Sequence, residues 1–156
     1  MEKTKSSMHM KRAIELSQQK MSENAGGPFG AVIVKENKVI AEGWNCVTSR
    51  CDPTAHAEVE AIRKACEHLE NFNLEGCTIY TSCEPCPMCL SAIYWARIDK
   101  IYYANTREDA ARISFDDDFI YNQIPLSPSE RAIPMEQVER DLAQEVFQSW
   151  QDKTDK

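Results

Sequence analysis

A chain of 156 residues, 42% apolar and 28% charged, has the length of one globular domain with a real core and the composition of a soluble fold. Its formal net charge of −7 and pI of about 5.0 weaken a polyanionic partner without excluding one, because affinity for phosphate backbones rests on Lys and Arg. No apolar run reaches membrane-spanning length, the charged start has no apolar core behind it as a secretory signal would, and seven cysteines without such a signal suit a reducing cytoplasm rather than a disulfide framework.

Residues 6–24 read as an amphipathic helix, with Met10, Ala13, Ile14, Ser17 and Met21 at helical spacing, ended by Ala25-Gly26-Gly27-Pro28. Residues 29–35 are apolar and β-branched, as in a buried strand, and residues 39–45 return as the second strand of a hairpin across the turn 36–38. The polar stretch 46–53 is expected as a loop, 54–69 as a helix, 77–81 as the third strand, 88–97 as the third helix and 100–105 as the fourth strand. Beyond that the pattern weakens. A short helix is expected over 107–113, an aromatic-acidic segment over 115–121, a loop over 125–134 and a helix over 135–151. Strands joined through helices imply an α/β layered fold with a mixed sheet, in a single domain spanning 1–156. Cys46, Cys51, Cys66 and Cys77 are expected as packing residues.

The chemistry concentrates in Thr81–Cys89. Cys86 and Cys89 fall three residues apart where a strand hands over to a helix, so they share a face of its first turn, and the helix dipole there favours thiolates. Alone, a C-x-x-C is compatible with zinc, with redox chemistry or with coincidence. His56-Ala57-Glu58, at the start of the preceding helix, supplies an imidazole and a spare carboxylate. Three protein ligands, His56, Cys86 and Cys89, leave a fourth zinc position for water, which is the arrangement of a catalytic site. Glu58 then has the task of general acid and base. H-x-E followed by P-C-x-x-C is the signature of the zinc nucleobase deaminases, with one zinc per chain expected. Two other readings stand at this point: a closed zinc site with Cys83 as fourth ligand, which leaves Glu58 without a task, and a redox pair, which leaves His56 and Glu58 unexplained.

Through Pro28-Phe29-Gly30-Ala31, His56-Ala57-Glu58 and Cys83-Glu84-Pro85-Cys86-Pro87-Met88-Cys89 the chain resembles the cytidine deaminase-like superfamily. Within it the chain is similar to the small bacterial guanine deaminases, through Asn45, residues 52–58, 80–89 and 92–97, and Phe115-Asp116-Asp117 with Phe119-Ile120-Tyr121. The similarity runs from about residue 10 to 135 and implies a three-layer α/β/α sandwich with a mixed sheet and an N-terminal hairpin. It implies zinc-dependent hydrolysis of guanine to xanthine and ammonia, by a homodimer in which the segment from about 135 is exchanged. By the same resemblance Asn45 holds the base, Asp117 contacts the ring, and Phe29, the Ala57 backbone and Trp95 line the pocket. In such enzymes an aromatic of the C-terminal tail closes the site; residues 151–156 here carry no aromatic, a departure from that pattern that leaves Phe147 or Trp150 as the alternatives for the role. Read without it, Asn45 ends a strand, Asp116 to Asp118 are a solvated face, and Phe29 and Trp95 are core. A tRNA-specific adenosine deaminase and a guanosine deaminase share parts of the motif and stand as alternatives, with a zinc-stabilised binding protein as the non-enzymatic one. The partners expected are a purine base and a second copy of the chain, with neither membrane nor nucleic acid.

Overall fold

Alternation along one buried strand decides the layers. In β1 (Gly30–Lys35), Ala31 and Ile33 point to one face of the sheet and Val32 and Val34 to the other, and all four are buried. A strand buried on both faces must be covered twice. The computed structural model describes residues 2–156. In it, α1 (Glu2–Ser22) covers the face of Val32 and Val34, packing Ala13 and Leu16 against them and Tyr80. The opposite face is covered by α3 (Ala57–Leu69) and α4 (Pro87–Trp95), whose Ala57, Ala61, Ala65 and Ile93 meet Ala31, Ile33 and Ile79. Between these layers β2 (Lys38–Trp44), β1, β3 (Cys77–Cys83) and β4 (Lys100–Asn105) form one sheet in the order β2-β1-β3-β4. β1 runs antiparallel to both neighbours and β3 parallel to β4, so the sheet is mixed and the α/β expectation holds.

The small residues of α3 let the helix lie close on the sheet. A Cβ added at Gly43 of β2 would stand 2.2 Å from the Ala57 carbonyl oxygen and 2.5 Å from the Ala61 nitrogen, so only glycine allows this approach. Gly43→Ala is therefore expected to lift the first turn of α3 and lower stability by about 1–3 kcal/mol, read from urea unfolding.

Several boundaries differ from expectation. The helix expected from 54 begins at Ala57, because the Asp52 carboxylate accepts hydrogen bonds from the Thr54 amide (2.8 Å) and hydroxyl (2.7 Å) and turns the chain first. Within the expected loop lies α2 (Val47–Arg50), too short to leave a periodic signal. Cys51 is exposed, not packed, as the left-handed residue that ends α2 (φ 51°). After β4 come α5 (Arg107–Arg112), opened by a capping box of Thr106 and Asp109, and α6 (Asp118–Gln123), which the acidic-aromatic composition did not reveal.

The chain divides into two compact units, 1–118 and 119–156. In the second, the Arg131 guanidinium donates to the carbonyls of Gln123 (3.2 Å) and Ile124 (3.1 Å), folding its loop back on itself. Its helix α7 (Arg140–Asp152) starts five residues later than expected, after a left-handed Glu139 (φ 53°) that breaks the helical run. Leu142, Val146 and Trp150 lie along one face of α7, all exposed.

Candidate active site

Two helix starts meet at the centre of the first unit. His56 is the N-cap of α3 and Cys86 the N-cap of α4; both are in extended conformation, and neither side chain caps its own helix. The side chains are thus directed elsewhere. His56 Nδ1 lies 3.5 Å from the sulfur of Cys86 and 3.5 Å from that of Cys89, and the three ligand atoms fall within 4.8 Å of one another. An edge of about 3.6 Å joins nitrogen and sulfur in a tetrahedral zinc site with ordinary Zn–N and Zn–S bonds, so this donor set fits the metal. Cys83 is not part of the group: its thiol is buried and directed at the Thr106 carbonyl. Burial, with Glu58 and Asp117 nearby, pushes that thiol up to about 11.

The two cysteines divide their protons unequally. The hydrogen bond from Cys89 holds Cys86 down to about 4, against burial and with help from His56. That same bond, with burial, pushes the Cys89 thiol up. Contact with Cys86 raises His56 above its ordinary value despite burial. A metal held by this group takes both cysteines as thiolates, the ligand form.

Glu58, in the first turn of α3, is 5% exposed and accepts a hydrogen bond from the Thr81 hydroxyl at 2.6 Å. Its carboxylate also interacts with the Cys89 sulfur, so it stands beside the three-atom group without being part of it. Asn45, buried at the end of β2, accepts through Oδ1 from the amides of Gly27 (3.2 Å) and Val47 (3.1 Å). That fixes the amide orientation and leaves its NH₂ as the group free to meet a ligand. Asp117 is close enough for its charge to raise both His56 and Cys83, and burial raises its own carboxyl above the usual range. Among the described residues its Oδ1 is the one buried side-chain oxygen or nitrogen with no hydrogen-bond partner. An orphan of that kind points to a ligand donor.

Phe29 packs edge-on against Phe115, ring centroids 4.9 Å apart, beside the segment that carries Asp117. Ala57 is fully buried between His56 and Glu58. Trp95 is different: it ends α4, eight residues beyond Pro87, and is 85% exposed.

Thr81 and Glu60 were not foreseen. Thr81 belongs to a β-branched strand and gave no polar signal. Glu60, 4% exposed, pairs with Arg50 (2.7 Å) and Arg63 (2.8 Å) and so ties α2, just after Asn45, to α3, just after His56. Its i, i+2 spacing from Glu58 puts it on another face of the helix, where sequence reads only surface charge.

Residues 3–105 match the family model of the cytidine and deoxycytidylate deaminase zinc-binding region. The chain belongs to this deaminase family. It is 52% identical over 147 residues to a guanine deaminase of Bacillus subtilis (strain 168), covering 94% of each. The X-ray structure of guanine deaminase from Bacillus subtilis superposes on it with a TM-score of 0.94 at 51% identity, over 96% of both chains. A tRNA-specific adenosine deaminase of Aquifex aeolicus (strain VF5) is 47% identical over 77 residues, which cover 49% of this chain and 51% of that one. The cytidine deaminase-like fold and the zinc-binding character expected of this deaminase are thereby shown.

Proposed function

We propose that the chain hydrolyses guanine to xanthine and ammonia. The observation that carries this reading is likeness to a guanine deaminase at 52% identity over 94% of the chain, where the tRNA-specific adenosine deaminases match at 37–47% over 49–72% of it. The donors and acceptors left over in the site support it. Asn45 offers an NH₂, which suits a ring carbonyl, and Asp117 offers an unpaired carboxylate oxygen, which suits a ring N–H. Guanine carries both groups; adenine has no carbonyl.

His56, Cys86 and Cys89 hold the metal in this reading. Zinc, when bound there, supplies Lewis acidity that makes a water nucleophilic near neutral pH. Glu58 takes the proton of the attacking water, delivers it to the ring nitrogen next to the carbon under attack, and then assists the departure of the amine as ammonia. Asn45 and Asp117 fix the ring so that the carbon bearing the amino group faces Glu58. Phe29 and the Ala57 backbone flank the base.

Residues 1–156 act in this reading as one deaminase unit within a cytoplasmic homodimer, the segment from about 135 exchanged between subunits. An amphipathic α7 with Leu142, Val146 and Trp150 exposed along one face supports a second copy as its cover. Among the described residues no helix is long and apolar enough to cross a membrane. The decisive assay gives zinc-loaded protein guanine, guanosine, adenine, cytosine and a tRNA anticodon arm, and measures ammonia. Release from guanine is expected; activity confined to the tRNA arm overturns the free-base reading.

A further inference from the structure

We propose that Thr81 is the positioning residue for Glu58: its hydroxyl anchors one carboxylate oxygen so that the other is left to carry protons. The inference rests on the assignment of Glu58 as the proton carrier. Thr81 sits on the inner strand β3, paired with Ala31 on one side and Tyr103 on the other, and is fully buried. Its backbone is therefore held by two neighbouring strands, and a β-branched side chain in a strand has few rotamers. From this fixed point the hydroxyl reaches two acceptors, Glu58 Oε1 at 2.6 Å and the Cys83 carbonyl at 2.9 Å. A hydroxyl has one proton. The carboxylate is nearer and charged, which makes the stronger bond and takes the proton.

Glu58 is thus held to the sheet through Thr81. A glutamate has three side-chain torsions, and without a partner at Oε1 its carboxylate could swing among several rotamers inside the site. Catalysis by a positioned base is sensitive to displacements well below the length of such a swing.

Thr81→Val keeps the shape and removes the hydroxyl. It is expected to lower kcat for guanine about 10- to 100-fold, with KM within about twofold and zinc at one per chain, the loss expected when a catalytic group is displaced by about 1 Å. Thr81→Ser, which restores the hydroxyl, is expected to recover most of kcat, and Thr81→Ala is not. The Ser and Ala variants share the loss of the methyl group, so their comparison isolates the hydroxyl even where Val does not fold. A second readout needs no activity: in metal-free protein the thermal shifts of Thr81→Val and Glu58→Ala are expected to be less than additive when combined. Equal turnover in native protein and Thr81→Val overturns the inference, as does a Ser variant no better than Ala or fully additive melting shifts. Native protein that leaves guanine untouched overturns the functional reading instead, while the melting cycle still decides the contact.

Discussion

Glu58→Gln is expected to lower kcat for guanine by about 10²- to 10⁴-fold, the range of general acid–base catalysis, while zinc stays at one per chain. Glutamine has nearly the shape of glutamate, and its amide oxygen still accepts the Thr81 hydroxyl, so the buried pocket around a residue only 5% exposed is preserved. What is lost is the capacity to take a proton from water and return it to the substrate. His56, Cys86 and Cys89 are untouched, and their three ligand atoms remain within reach of one another. A fall in kcat with KM and metal content held separates this role from metal binding. Steady-state ammonia release with metal analysis on the same preparation makes the comparison, and undiminished turnover would return Glu58 to a packing role.

What sequence disclosed and what it withheld follow from range. His56 and Glu58 lie two residues apart and Cys86 and Cys89 three, so each half of the ligand group is a local pattern at a helix start. Joining the halves took the signature of a deaminase, and the fold explains why they meet: parallel layering sets α3 and α4 side by side on one face of the sheet. β1 was legible because it is a nearly continuous apolar run, the mark of a strand covered on both faces, and β3 through its β-formers Thr78, Ile79, Tyr80 and Thr81. Short or irregular pieces were not. α2 is four residues long and α6 six, too few for a helical period, and the start of α7 is displaced by a backbone conformation at Glu139 that no local propensity encodes.

Contacts between distant elements formed the second blind spot. Thr81 and Glu58 are 23 residues apart and Arg50 and Glu60 ten, and nothing in the intervening sequence pairs them. The orphaned Oδ1 of Asp117 is likewise a property of the folded chain, since a run of three aspartates reads as a solvated surface until burial singles one out.

Asn45→Asp is expected to reduce kcat/KM for guanine by about two to three orders of magnitude, chiefly through KM, as when a site loses a hydrogen bond it was built to make. The replacement is chosen for what it keeps. A carboxylate accepts from the Gly27 and Val47 amides as the Asn45 Oδ1 does, so the end of β2 and the start of α2 stay in place. It also fits the available space, which is narrow: a Cβ on Gly26 would already stand 2.5 Å from Asn45 Oδ1. What changes is the outward face, where an NH₂ donor gives way to an anionic oxygen turned against a ring carbonyl, and two acceptors facing each other repel. Asn45→Ala forms the contrast, since it removes the donor together with both backbone contacts and is expected to lower the melting temperature as well. If Asn45→Asp melts like the native protein but binds guanine poorly, the amide selects the base. Native KM in that variant would mean that Asn45 serves only to finish a strand, and the preference for a carbonyl-bearing purine would have to come from Asp117 alone.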